Sequence, residues 1–366
     1  ITTAIVSNAA FIIQDRMTYL QQETGYPEQD IFSITVMTYG KDRDLSQQFE
    51  EDEALLRNLP GVVDAALSNA VPLSGSGSAS GMGLKPAPEP GRNVRAGYLF
   101  GDDHMLNTLG VELMEGRNFA PDEVIVTQDP GKVPNVAIVS STFALEAYPD
   151  GDGLGKLMYM GDKPFKIIGI VDKMKGPWLK DDRPDNVVIF PYIKAETYQH
   201  IIVRTEPGQR AAVMQTVEDK LLAAYDKRVF TNVITLDENK RQYNASDTLM
   251  LRMLMVLIVV LVAITALGIF GLTLFNISKR TRQIGTRRAL GARKSDIIRY
   301  FLVENTLICS GGLIIGCTAA VLMGQQLLQR FSLPALEIQY VAGTAIMVLV
   351  MTLVAVIFPA RRAAQI

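Results

Sequence analysis

Few residues in this 366-residue chain have a type and spacing that invite a chemical reading. The only two histidines, His104 and His200, lie in different segments, and neither has neighbours at metal-ligand or triad spacing. The two cysteines, Cys309 and Cys317, sit eight apart in one apolar segment. That is about two helical turns on one face, too far for a bond between them. They read as small packing residues. "DGDGLGK", Asp150 to Lys156, approaches a phosphate-binding loop but has Asp150 at the first glycine position. Leu157 stands where a Ser or Thr would meet magnesium. As a calcium loop it fails at Leu154, a ligand position, and at Gly161, the place of the closing glutamate. "SGSGSASGMG", Ser74 to Gly83, lacks the spacing of a nucleophile elbow and reads as a flexible loop by composition. No catalytic, cofactor or metal site is expected, and the chain is not expected to be an enzyme.

What the sequence does concentrate is charge. "SKRTRQIGTRRALGARKSDIIRY", Ser278 to Tyr300, carries eight Lys or Arg and one acid, Asp296, while the whole chain has a net charge of only −2. Setting aside those residues and the terminal Arg361 and Arg362 leaves 26 basic residues against 37 acidic, a balance of −11. A basic pole and an acidic body share one chain. With 48% hydrophobic residues and a mean hydropathy of +0.17, the composition lies between a soluble enzyme and a polytopic membrane protein.

The basic stretch separates apolar segments. Residues 253–275 run without a charge, enough to cross ~30 Å of hydrocarbon at about 1.5 Å per residue. Residues 301–324 and 340–358 are two further spans. The opening "ITTAIVSNAAFII" reads as the outer part of a first helix, residues 1–18, whose beginning is absent. Short loops rich in Lys and Arg stay cytoplasmic. Residues 279–299 and the C-terminal arginines are therefore expected inside, and the body from about residue 19 to 247 outside. Glu304, about one turn into its span, reads as a structural or partner contact. Gly312 and Gly316 have the small-xxx-small spacing that lets transmembrane helices approach closely, within one chain or between two copies.

The outer body reads as α+β. In "IFSITVMTY", Phe32, Ile34 and Val36 alternate with Ser33, Thr35 and Met37, the period of a half-buried strand. A helical stripe of Leu45, Phe49, Leu55 and Leu56 ends at Pro60-Gly61. A second β-α-β unit spans "HIIVRT" to "VFTNVITL". The two halves, about 28–120 and 197–237, are expected to fold together as a split β-α-β arrangement around an inserted small β subdomain, about 121–196. Residues 160–163 should turn a hairpin there. From 237 to 280 the pattern permits one long helix, with a stalk, 237–252, projecting from the bilayer. The fold class expected is an α-helical membrane domain of four spans, the first truncated, plus this extracytoplasmic domain.

The stretch "RTRQIGTRRALGARKSDIIRYFLVENTLICSGGLIIG" closely resembles the signature of the MacB/FtsX-like permeases of ABC transporters, with Gln283 in place of the usual Glu. "MLNTLGVELMEGRNF", "VAIVSSTFALEAY" with "GLGK", and "FKIIGIV" resemble that family's extracytoplasmic core domain, and "PARRAAQI" the start of its C-terminal segment. The resemblance implies a bacterial inner-membrane, multi-pass permease with its large domain in the periplasm. It implies a dimer with a second permease copy or homologue, above ATP-binding subunits that hold ATP and magnesium. A periplasmic adaptor and an outer-membrane channel are further implied partners; nucleic acid is not. ATP hydrolysis would be coupled mechanically to the outer domain, for efflux. Contact with the ATPase would fall on Arg287, Arg288, Leu290, Gly291, Ala292, Arg293, Lys294, Asp296 and Ile297. The same arginines, taken alone, would only fix topology and bind anionic lipid. Lipoprotein release or control of cell-wall hydrolases is an alternative within the family. A membrane-anchored sensor is an alternative outside it, though the sequence carries no cytoplasmic output module.

Overall fold

The computed structural model describes residues 1–129, 131–331 and 336–363. The chain forms two compact units. One is residues 1–22 with 246–366, and the other is residues 23–245. Chain order begins with α1 (Thr2–Leu20), β1 (Ile31–Thr38), α2 (Leu45–Arg57), β2 (Val62–Ser68), β3 (Ser78–Gly83) and β4 (Asn93–Gly101). Next come α3 (Met105–Leu109), β5 (Leu113–Gly116), β6 (Ile125–Thr127), β7 (Val136–Ser140), α4 (Ser141–Ala147), β8 (Leu157–Met160) and β9 (Lys163–Val171). β10 (Val187–Lys194), β11 (Tyr198–Thr205), α5 (Arg210–Ala224), β12 (Arg228–Thr235) and α6 (Leu236–Tyr243) complete the outer unit. α7 (Ala245–Lys279), α8 (Thr281–Ala289), α9 (Lys294–Phe331) and α10 (Ile338–Ala363) follow.

In the outer unit, β12-β1-β11-β2 form an antiparallel sheet in that order. The period-two pattern of β1 sends Phe32, Ile34 and Val36 into a core with Phe49 and Leu56 of α2 and Val213, Val217 and Leu221 of α5. Asp44 starts α2 by accepting from the backbone N–H of Ser46 and Gln47 at 2.8 and 3.3 Å, which satisfies two of the orphan donors of a first helical turn. The two β-α-β halves interleave, with β1 between β11 and β12.

The insertion is larger than the sequence pattern indicates. It was expected over about 121–196, but its strands begin at β3 and end at β10, so the first half closes at β2 rather than near residue 120. The pairings β4–β3–β8–β9–β7–β10 close back on β4, where Val187 lies opposite Gly97 in parallel register. Closure removes the free edges of the sheet. Six of the ten residues of the Ser/Gly-rich segment read as a loop are β3, paired along its length with β4. Backbone ladder bonds need no side chain, so composition does not reveal them. The hairpin at 160–163 forms, with Met160 opposite Lys163 and Gly161 at φ +68°.

The expected single helix from 237 to 280 is two helices. It breaks at Asn244, and α6 is held by other bonds. The Thr235 side chain caps it at 3.2 Å, Lys240 pairs with Glu28 at 2.8 Å, and Arg210 pairs with Asp237 at 2.7 Å. These fixed contacts outweigh the weak propensity of Asn to continue a helix.

In the other unit, α7, α9 and α10 are long and apolar enough to cross a membrane. Their burial is inverted relative to a soluble core. Leu267 and Val259 of α7 are 69% and 66% exposed, whereas Thr3, Ser7, Asn8, Thr273 and Thr352 are buried. Ser7 donates to the carbonyl of Thr3 at 2.7 Å, and Asn8 donates to those of Ala4 and Ala320 at 2.9 and 3.1 Å. Polar groups kept inside and bonded to helix carbonyls, with apolar ones outside, suit a hydrocarbon solvent.

Candidate functional site

The basic stretch folds as a turn between two helices, anchored by its own core. After Lys279, the backbone N–H of Arg280 bonds the carbonyls of Asn276 and Ile277, ending α7. α8 runs two and a half turns to Ala289, and two residues on Gly291 turns the chain with a φ of +100°, a conformation that L side chains rarely adopt. The Asp296 carboxylate then accepts from the backbone N–H of Arg293 at 2.9 Å, closing the turn that opens α9. Beneath lie Ile284, Ile297 and Phe301, buried against Ile277 of α7 and Val356 and Ala360 of α10. Arg280 binds both oxygens of Glu304 at 2.9 and 3.0 Å and donates to the Tyr300 hydroxyl at 3.2 Å. Arg287 stacks over the Tyr300 ring, 4.9 Å from its centroid. Between α8 and α9 a cavity of about 230 Å³ opens, floored by Ile284, Ile297 and Phe301 and walled by Gln283, Arg287 and Tyr300.

The expected contact residues therefore divide. Arg287, Leu290, Gly291, Arg293, Lys294 and Asp296 are exposed, with Leu290 at 83%, and Ala292 is half-buried at the cavity. Ile297, expected on the contact surface, is 5% exposed and belongs to the turn's own core. Arg288 continues the backbone of α8, and its side chain lies outside what is described. Glu304 is taken by Arg280 within the chain. The two glycines also separate. A Cβ on Gly316 would meet Thr3 of α1 at 3.0 Å, whereas one on Gly312 would meet nothing within 4 Å. Arg280, Gln283 and Tyr300 were not singled out for the site. The four-residue spacing of Tyr300 and Glu304 on one helix face was the available signal.

Besides the buried pair of Arg228 and Asp52, 2.6 Å apart, the outer unit holds a larger cluster of buried charge. Arg57 of α2 meets Asp102 at 2.6 Å, Asp64 of β2 at 3.3 Å and Glu53 at 3.6 Å, and all three carboxylate side chains are at most 8% exposed. His104 adds its Nδ1 to Asp64 at 2.9 Å. Burial raises the Glu53 carboxyl well above its ordinary range, and the Asp102 charge adds to this while Arg57 opposes it. Asp102 is raised for the same first reason. His104 and His200 stay apart, since His200 bonds Thr35 instead. No group of three or more His, Cys, Asp or Glu capable of holding a metal ion occurs among the described residues.

Two family models match the chain, a MacB-like periplasmic core domain over residues 3–220 and an FtsX-like permease C-terminal domain over residues 255–366. The chain belongs to the MacB/FtsX-like permease family. Among curated relatives, the macrolide export ATP-binding/permease protein MacB of Pectobacterium atrosepticum is 29% identical over 242 residues, 63% of this chain and 36% of that protein. The probable syringafactin export ATP-binding/permease protein SyfD of Pseudomonas syringae pv. syringae is 32% identical over 235 residues, 60% of this chain and 34% of that protein. The chain thus spans about a third of the length of these relatives. Among solved structures, the periplasmic region of MacB from Actinobacillus actinomycetemcomitans aligns with 62% of this chain and 97% of its own, at 14% identity and a TM-score of 0.38. The core-domain match takes in α1 of one unit and most of the other, and the stretch between the two matches, 221–254, holds the end of α5, β12, α6 and the start of α7.

Proposed function

We propose that this chain is the membrane part of an ABC exporter, coupling ATP hydrolysis in a separate ATP-binding subunit or domain to a change of shape in the outer unit. ATP and magnesium belong to that partner. The basic turn lies on the cytoplasmic side by its excess of Lys and Arg, so the outer unit faces the periplasm and α1 serves as the fourth span. The relatives carry export and ATP-binding/permease in their names, which favours efflux from the outer side by a permease dimer, with a periplasmic adaptor and outer-membrane channel as further partners.

The observation that carries the reading is the turn at Gly291. Leu290 projects at its tip, 83% exposed, among Arg287, Arg293 and Lys294, while Ile284, Ile297 and Phe301 fix it from below. Arginines needed only for topology or lipid contact would not require so defined a scaffold. A fixed apolar tip in a basic rim suits an acidic groove on a partner. In the test, Gly291 and Ala292 are replaced by bulky residues and the permease is purified with its cognate ATP-binding subunit or domain. Association or ATP turnover should fall; if both are unchanged, the turn does not couple.

A further inference from the structure

A second cavity lies in the outer unit, in the seam where β2 and β11 of the four-stranded sheet meet β4 and β10 of the insertion. It is partly open to solvent and holds about 120 Å³, of the order of the ~150 Å³ of a cavity that accepts benzene. Its walls are rings. Phe100 and Tyr192 stand edge to face with centroids 4.9 Å apart, and Tyr198 and His200 do the same at 5.3 Å. Lys194 and Glu196 line it as an ion pair, so their charges cancel.

The polar atoms here are incompletely used. Tyr192 is only 7% exposed as a residue, and its hydroxyl reaches solvent with no hydrogen bond to any described residue, so it is free to pair with an incoming group. Tyr198 is 50% exposed, and its hydroxyl is likewise unpaired among the described residues. His200 places Nδ1 3.0 Å from the Thr35 hydroxyl, and its Nε2 has no hydrogen bond among the described residues. Burial pushes the His200 imidazole below its ordinary pKa, so it is neutral at physiological pH. A neutral imidazole offers at Nε2 either a donor or an acceptor, according to its tautomer. A hydroxyl can answer both forms and can also pair with a tyrosine hydroxyl. A carboxylate or an ammonium group answers only one role, and the balanced Lys194–Glu196 pair attracts neither charge.

We propose that this seam cavity binds a neutral aromatic ring bearing a hydroxyl, the ring lodged among Phe100, Tyr192 and Tyr198 and the hydroxyl satisfied by Tyr192 and His200. The site stands independently of any ATPase coupling. Its ring can come from a free phenolic molecule or from a tyrosine side chain, which share this chemistry.

The chain contains only two histidines, so isotope-labelled imidazole resonances of the full chain in detergent report the site directly, with His104 as internal control. Titration with p-cresol should move the His200 signals saturably and leave His104 unmoved. Toluene, lacking the hydroxyl, should bind about five- to tenfold more weakly. Tyr192→Phe should weaken p-cresol by about the same factor and leave toluene unchanged. N-acetyl-tyrosine amide distinguishes the sources. If it reproduces the p-cresol shift, the site accepts a polypeptide side chain; if it fails where p-cresol binds, the ligand is a free phenol. The absence of a saturable shift, parallel movement of His104, or toluene binding as tightly as p-cresol would each overturn the proposal.

Discussion

Arg280 closes on Glu304 with one guanidinium nitrogen 2.9 and 3.0 Å from the two carboxylate oxygens, tying the end of α7 to the first third of α9. With side chains 39% and 30% exposed, the pair is neither fully solvated nor desolvated. Its coupling energy should be about 1 kcal/mol, at the top of the surface range. A double-mutant cycle of Arg280→Gln and Glu304→Gln, read by chemical denaturation in detergent, measures it. Additive single effects would show that the bond does not hold the turn.

Two glycines of the basic region should respond with opposite signs. Neither Gly285 nor Gly291 has an atom within 4 Å of an added Cβ, but only Gly291 has positive φ. Gly291→Ala should therefore destabilise by about 1–2 kcal/mol through backbone strain alone. Gly285→Ala, inside α8, should stabilise by up to about 1 kcal/mol. Denaturation of the two variants under one condition checks this, and shifts of the same sign would contradict it.

The Gly312 and Gly316 pair makes a steric contrast. Gly316→Leu must displace Thr3 and so loosen α1 from α9, costing about 1–3 kcal/mol. Gly312→Leu meets open space within the chain and should change stability by less than about 0.5 kcal/mol. If Gly312→Leu leaves stability intact yet lowers the dimer fraction in crosslinking, Gly312 belongs to a permease–permease contact. Equal destabilisation by both would contradict the placement of α1.

The cluster around Arg57 gives the outer unit a dependence on pH. Burial raises Glu53 and Asp102 in the folded state above the ordinary carboxylate value near ~4. The folded chain thus holds protons that the unfolded chain releases. The corresponding stability is present below pH ~4 and is lost as pH rises through the folded values. His200 acts oppositely: its depressed imidazole contributes stability above pH ~6.5 that is lost on acidification. Comparison with Glu53→Gln isolates the carboxylate, since the amide oxygen can still accept from Leu67 N–H, the bond that Glu53 makes at 2.7 Å. The single tryptophan, Trp178, lies in the outer unit and reports its unfolding in urea. The stability advantage of the wild type over Glu53→Gln should grow from neutral toward acid pH. A difference independent of pH would contradict the assignment.

Local pattern carried some of this architecture and long-range pairing the rest. The alternation of Phe32, Ile34 and Val36 announces β1, and the uncharged run from Met253 announces α7, because each obeys a period or length set by its own neighbours. β3 was not legible in this way, since its pairing with β4 and β8 is made through the backbone of serines and glycines. The break at Asn244 was hidden because the bonds that fix α6 reach back to Glu28 and Arg210. Ile297 was misplaced onto the surface because facing inward depends on Val356 and Ala360, about sixty residues away along the chain. The seam cavity draws its rings from β4, β10 and β11, and no sequence window contains them all.

The account rests on the basic turn facing the cytoplasm. A Leu290→Cys variant in a Cys309→Ala, Cys317→Ala background, treated with a membrane-impermeant maleimide, tests this at a residue of the turn that is 83% exposed. With the chain produced without its ATP-binding partner, the account predicts no labelling in intact spheroplasts and labelling in inverted membrane vesicles. Labelling in intact spheroplasts would place the arginines outside and contradict it.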